Sequence, residues 1–249
     1  MSDLLTQQHP TGVLELVFNR PEKKNALTIS MYQGLVEALQ AAATDPEVKA
    51  VLLRGEGDSF SAGNDIADFM VAAQKPETLK IIVQFLHTIA EFPKPLLAAI
   101  QGDAVGIGTT MLLHCDLVIA ADDVRCMTPF VKLGLVPEGG TSLLLPQTIG
   151  HRHAFEMLVE GKPFGADRAL ETGIINQIVT SDELVSTALA RAESIAALPS
   201  EAVSISKGLL KKEQHEQLSR VLDEEAMAFG QRLASAEARQ AFMAFMQKR

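Results

Sequence analysis

GVLELVFNRPEKKNALTISMYQGLVEALQAAATDPEVKAVLLRGEG (Gly12–Gly57) decides the fold class. Its first eight residues are apolar and rich in valine, and Asn19-Arg20-Pro21 stops them, which predicts a strand. Thr28 is placed to cap a helix running to about Thr44, with Leu35, Val36, Leu39 and Ala43 along one apolar face. Asp45-Pro46 ends that helix, Val48–Arg54 is a second apolar strand, and Gly55-Glu56-Gly57-Asp58 turns the chain. Strand, helix and strand in this order predict an α/β core.

The pattern continues outward. Glu77–Phe92 has helical spacing, Leu96–Gln101 and Asp116–Ala121 read as buried strands, and Ile107–His114 as a short apolar helix. Arg125–Thr128 and Gly173–Val179 are further strand candidates. Ser142–Gly150, His151–Glu160 and Ala166–Glu171 have helical patterning, and after Ser181 only helices are expected. Leu198-Pro199-Ser200 breaks that last stretch, so residues 1–196 are expected to form the core and 197–249 a helical appendage. Within the appendage Ser206–Leu233 reads as one amphipathic helix whose apolar side carries Leu209, Leu210, Leu218, Val221 and Leu222. Such a face suits packing on another subunit.

With 47% hydrophobic and 21% charged residues, the 249-residue chain has the composition of a globular protein, not a disordered or fibrous one. The net charge of −9 argues against a nucleic-acid surface, and an anionic ligand would need a local basic site or backbone amides. Cys115 and Cys126 lack metal or disulfide spacing, which suits a reducing compartment. The polar N-terminus does not resemble a leader, and Phe92–Ala104 is too interrupted by Pro93, Lys94, Pro95, Gln101 and Gly102 to cross a membrane. The end Gln247-Lys248-Arg249 is not a Ser-Lys-Leu address, so a cytoplasmic location is expected.

Three segments are candidates for chemistry. FSAGNDI (Phe60–Ile66) and GDAVGIGT (Gly102–Thr109) each lead from a strand, through small residues, to a helix start. Such turns leave backbone N–H groups free to bind negative charge, and two of them converging on one oxygen make an oxyanion hole. Taken alone, the first segment is equally a plain loop with Asn64 or Asp65 as a helix cap. The third, LVPEGGTS (Leu135–Ser142), holds Glu138 among apolar and small residues, where a carboxyl keeps its proton more readily and suits a general base. A solvated turn glutamate before a helix is the other reading. Lys207, Lys211 and Lys212 form a charged helix face, either solvated or placed against phosphates.

These motifs in this order, together with Cys115-Asp116-Leu117-Val118-Ile119-Ala120 and Asn19-Arg20-Pro21…Asn25-Ala26-Leu27, resemble the crotonase (enoyl-CoA hydratase/isomerase) superfamily over nearly the whole chain. The resemblance implies a spiral of β-β-α turns and a C-terminal helical region that forms trimers or hexamers. It implies an acyl-CoA ligand, with the thioester carbonyl held by the amides of Asn64 and Ile107. Ala62, Gly63, Asn64, Asp65 and Ile66 would lie along that ligand, and Ala26 would face its adenine end. No nicotinamide, flavin or metal is implied, and neither a nucleic acid nor a membrane is an expected partner.

The two glutamates of the hydratases fall on Thr110 and Phe130, neither of which carries a carboxyl. Glu138 sits where Δ3,Δ2-enoyl-CoA isomerases of the peroxisomal type carry a single catalytic glutamate. Gly63-Asn64-Asp65, Ala202–Lys207 and the tail from Arg232 to Phe245 are similar to that branch as well. The resemblance therefore implies double-bond isomerisation. A hydratase, another crotonase reaction or a non-catalytic acyl-CoA-binding protein are the alternatives.

Overall fold

The computed structural model describes residues 2–72 and 76–246; the chain end Gln247-Lys248-Arg249 read above lies outside them. The Gly12–Gly57 unit forms as its patterning predicts, after an additional strand, β1 (Leu4–Gln8). It consists of β2 (Val13–Phe18), α1 (Ile29–Thr44) and β3 (Ala50–Gly55). Thr28 Oγ1 accepts from the Met31 amide at 3.3 Å, the cap the sequence calls for. The chain continues through α2 (Ile66–Ala72), α3 (Pro76–Ala90), β4 (Leu96–Ile100), β5 (Asp103–Val105), α4 (Ile107–Thr110), β6 (Leu117–Ala121) and β7 (Arg125–Met127). Then come α5 (Thr141–Ile149), α6 (His151–Leu158), β8 (Phe164–Gly165), α7 (Ala166–Thr172), β9 (Gln177–Val179) and α8 (Ser181–Ala196). The chain finishes with α9 (Ser200–Lys211), α10 (His215–Leu233) and α11 (Ala236–Met246).

One sheet runs β1-β2-β3-β4-β6-β9 and is parallel except at β1. A second runs β5-β7-β8, and two isolated parallel bridges, Ser61 to Ala104 and Leu27 to Asn64, carry its row onward. Each turn of chain thus leaves one strand in the first sheet, steps across to the second row, and returns through helix. That is a β-β-α spiral. Side chains alternate along the strands, so both faces of the first sheet are buried. Leu52, Leu97, Ala99 and Ile119 meet Leu184, Ala188, Ala192 and Ala196 of α8. On the other face Leu16, Phe18, Leu53, Ala98 and Ile100 pack toward α1 and α3.

The tail differs from its expected form in two ways. Ser206–Leu233 is two helices, because Lys212–Gln214 tightens into a 3-10 turn that separates α9 from α10. Leu222 is buried in the chain's own core, and Leu218 packs against it. In α9 Ile205, Leu209 and Leu210 are exposed together, the last 85%, while α10 and α11 expose single apolar residues, Met227 and Met243. Nor is Lys207 a solvated cation. It is buried, with Nζ 2.7 Å from both the Lys94 carbonyl and Asp116 Oδ2, and it fastens α9 to the start of β4 and β6.

Gly102 marks where the chain steps between sheets. Its φ is +53°, and a Cβ there would lie 2.0 Å from the Asp58 carbonyl oxygen. Gly102→Ala should therefore lower the unfolding free energy by roughly 1–3 kcal/mol. Gly208→Ala, in α9 with open space around it, should be neutral or stabilise by up to about 1 kcal/mol. Urea denaturation of the two variants checks both; equal effects would contradict the packing argument.

Candidate active site

The two N–H-bearing turns are stitched together by Ser61. Its amide donates to the Asp103 carbonyl at 3.0 Å, and its carbonyl accepts from Val105 N at 2.9 Å. Ala62–Asn64 therefore runs alongside Val105–Ile107. The approach is close: a Cβ on Gly63 (φ +89°) would lie 2.7 Å from the Val105 carbonyl oxygen, and one on Gly108 would lie 2.8 Å from that of Ser61. Gly106 (φ +57°) turns the chain so that Ile107 opens α4. Neither the Asn64 nor the Ile107 amide donates a hydrogen bond among the described residues.

Both residues line a cleft of about 740 Å³, within the range of small-molecule sites. Ala62, Gly63, Ile66, Phe130 and Phe229 line it too, as do Lys132 and Lys24, the latter paired with Asp103 of the same wall at 2.9 Å. Asn64, Phe69 and Phe229 also border a smaller cavity of about 50 Å³, walled by Leu79, Ile82, Leu86 and Ala226 and holding Glu138. The sequence-predicted residues Ala62, Gly63, Asn64, Ile66 and Ile107 thus share one cleft, with Glu138 adjoining through Asn64. Ala26 and Asp65 stand just outside it. The Ala26 carbonyl accepts from Arg20 at 2.5 Å. Asp65 pairs with Arg20 at 3.1 Å and caps α2 by accepting from the amides of Ala67 and Asp68. Phe130 packs edge-on to Phe229.

Glu138 is 7% exposed, and its Oε1 accepts from Thr110 Oγ1 at 2.7 Å. Burial pushes its carboxyl up to about 7; the Thr110 bond opposes this, and the nearby Glu225 charge adds to it. A carboxyl with that proton affinity both accepts and returns a proton near neutral pH. Its loop is held from three sides. Thr141 Oγ1 donates to the Glu138 carbonyl at 2.8 Å. His114, which burial depresses to about 4 and so keeps neutral, donates from Nε2 to the Gly139 carbonyl at 2.8 Å. Glu225 of α10 accepts from the amides of Gly140 and Ser142.

Sequence reasoning missed Tyr32, whose buried hydroxyl donates to Asn64 Oδ1 at 2.6 Å, and it missed Glu225. Signals for both exist. Tyr32 is the only tyrosine and falls among the apolar residues of α1, where a buried hydroxyl needs a partner. Glu225 continues the helical stripe Leu218, Leu222, Phe229, where a charge is out of place. Among the described residues no group of three or more His, Cys, Asp or Glu is placed to hold a metal ion, and no helix is long and apolar enough to cross a membrane. Both cysteines are free thiols that burial pushes up to about 12.

A spiral of β-β-α turns, with a cleft lined by Asn64 and Ile107 that adjoins a cavity holding a buried carboxyl, has the architecture of a crotonase-type protein. Residues 8–249 match the enoyl-CoA hydratase/isomerase family, and the chain belongs to it. It is 36% identical over 243 residues to rat enoyl-CoA delta isomerase 2, covering 96% of this chain and 62% of that protein's length. Among solved structures it is similar to Pseudomonas aeruginosa OdaA, with TM-score 0.94, 41% identity and 99% of both chains covered. It is equally similar to an enoyl-CoA hydratase/isomerase of Pseudoalteromonas atlantica, with TM-score 0.94, 38% identity and coverage of 100% of this chain and 98% of that one.

Glu138 and His114 act on stability in opposite senses. Glu138 rises from 4.5 to about 7, so its neutral burial favours folding below 4.5, and that contribution is lost as pH climbs toward 7. His114 falls from 6.5 to about 4, so its contribution is present above 6.5 and lost as pH drops toward 4. Between pH 4.5 and 6.5 the two largely cancel. Removing the first by Glu138→Gln should make unfolding free energy rise with pH across that interval, more steeply than in wild type by up to about 1.4 kcal/mol per pH unit. Parallel curves would mean that Glu138 titrates normally.

Proposed function

We propose that the protein is a Δ3,Δ2-enoyl-CoA isomerase acting through one glutamate. The observation that carries this reading is Glu138: a buried carboxyl with raised proton affinity, beside the residue bearing one of the free amides. The thioester carbonyl of a 3-enoyl-CoA accepts hydrogen bonds from the amides of Asn64 and Ile107. Glu138 removes a proton from C2; the C–H electron pair becomes the C1–C2 double bond of a dienolate, and negative charge moves to the thioester oxygen. As the carbonyl re-forms, the C3–C4 electron pair takes up the same proton at C4, leaving the double bond between C2 and C3. No atom is gained or lost. One donor to such an oxyanion contributes roughly 2.7–4 kcal/mol, and a positioned base on the order of 10²–10⁴-fold.

The name of the rat relative supports this reaction. Hydration is the second reading, and it needs a further carboxyl to orient water. Thr110 instead donates to Glu138, and Phe130 is an apolar wall. Lys24 and Lys132, which line the cleft, suit the phosphates of coenzyme A. No separate cofactor enters this scheme, and a cytoplasmic location remains the reading of the sequence. The exposed Ile205, Leu209 and Leu210 of α9 support assembly into a trimer or hexamer.

Glu138→Gln should lower turnover of 3-enoyl-CoA by roughly 10²–10⁴-fold while acyl-CoA affinity stays within a few-fold. Wild-type retention of rate would refute the single-base scheme. In the native enzyme kcat/KM should rise with pH to a plateau, with an apparent pKa about 7, since only the ionised base takes a proton. Crotonyl-CoA with water should react far more slowly than 3-enoyl-CoA isomerises; comparable rates would restore the hydratase reading.

Truncation after Pro199 would also remove Glu225 and Phe229, so point changes separate assembly from chemistry. Leu209→Ser with Leu210→Ser should shift a trimer or hexamer toward monomer in light scattering. A monodisperse wild-type monomer would contradict the assembly.

A further inference from the structure

The N-terminus of α5 carries an unusual arrangement. Its cap position is Gly140, at φ +73°, with no side chain to satisfy the first free amides. A larger residue would be strained there by the positive φ and would have to displace Leu218 Cδ1, 2.5 Å from its Cβ. The missing cap arrives from α10. Glu225 Oε2 accepts from Gly140 N at 2.6 Å and Oε1 from Ser142 N at 2.8 Å, so both oxygens are used as acceptors, as an ionised carboxylate would use them. Burial raises the proton affinity of Glu225, and the amide bonds at the positive end of α5 oppose that rise. Glu225 is only 8% exposed, and the loop it grips begins at Glu138.

We propose that Glu225 is a positioning residue of the isomerase site: from the C-terminal region it clamps the loop bearing Glu138 and holds a carboxylate behind the base. This rests on the single-glutamate reading above. The clamp fixes where the Glu138 carboxyl stands relative to the Asn64 and Ile107 amides, and the charge makes Glu138 hold a proton more tightly. Other polar groups toward Glu138 are few. Tyr32 of α1 is buried and neutral, as is His114 in the turn after α4, and Thr110 of α4 donates to it. The cavity side of α3 presents Leu79, Ile82, Val83 and Leu86, and that of α2 presents Phe69. Lys211 and Lys207 lie beyond His114, with Lys211 Nζ on the His114 carbonyl and Lys207 on Asp116. Among the described residues Glu225 is therefore the like charge acting on the base.

Glu225→Gln keeps the shape and removes the charge. We expect kcat for 3-enoyl-CoA isomerisation to fall about tenfold or more, since a misplaced base loses near-attack geometry. We also expect the apparent pKa in kcat/KM to move down. A cap with a purely structural role would lower kcat and leave that pKa in place, which would overturn the proposal. Glu225→Asp, which retains the charge, should hold the pKa close to wild type and recover part of the kcat; a drop as large as that of Gln would also overturn it. Titration of ¹³C-labelled glutamate carboxyls by NMR reads the Glu138 pKa directly, without substrate. If Glu138→Gln is active, or the wild-type titration shows no raised carboxyl, the single-glutamate reading itself fails. An unmoved Glu138 titration in Glu225→Gln, with Glu138 still essential, sinks only the role of Glu225.

Discussion

The pairing of Ser61 with β5 is the contact on which the site depends. Two hydrogen bonds, Ser61 N to the Asp103 carbonyl and Val105 N to the Ser61 carbonyl, set the turn from β3 against the turn from β4. The backbones lie so close that Gly63 and Gly108 have no room for a Cβ. What this produces is a pair of neighbouring helix starts, each with an amide that no group of the described chain accepts. In the proposed isomerase, the cost of leaving such donors unpaired is recovered when the thioester oxygen binds between them. The spiral topology makes this possible, since successive turns place equivalent corners side by side.

Against that corner, burial acts on one carboxyl. A glutamate in water would be ionised and weakly basic at neutral pH. Taking Glu138 out of water raises its proton affinity, and Thr110 restrains that rise by donating to the ionised form. Thr110 thus has a role of its own in the position where hydratases, by the family resemblance, carry a glutamate. The tail is equally part of the site. Leu218 and Leu222 pack around the Gly140 loop, Glu225 caps α5, and Phe229 separates the two cavities. A boundary at residue 197 therefore divides the sequence more cleanly than it divides the chemistry.

Much of this was legible in the sequence because the deciding signals were local. Apolar runs stopped by Pro or Gly marked β2, β3 and β4, one stopped by Asp122-Asp123 marked β6, and the small-residue turns at Ala62–Asn64 and Val105–Gly108 marked the corners. The exceptions follow from physics. β1 is a polar edge strand with four of its five residues exposed, so it has no buried face to pattern. β5 and β8 are too short to show alternation. The amphipathic reading of residues 206–233 spanned a break that is written in hydrogen bonding and not in hydropathy. Tyr32 and Glu225 act on residues far away in sequence, so their partners emerged only with the topology.

In the proposed reaction one shielded carboxyl carries a proton from C2 to C4. Isomerisation of 3-enoyl-CoA deuterated at C2, run in ordinary water and sampled over the first turnovers, tests it directly. The account predicts 2-enoyl-CoA with a measurable fraction of the deuterium at C4, because Glu138 is buried beside the substrate and returns what it removed. Product with no deuterium at C4 even in the first turnover, or 3-hydroxyacyl-CoA as the main product, would contradict it.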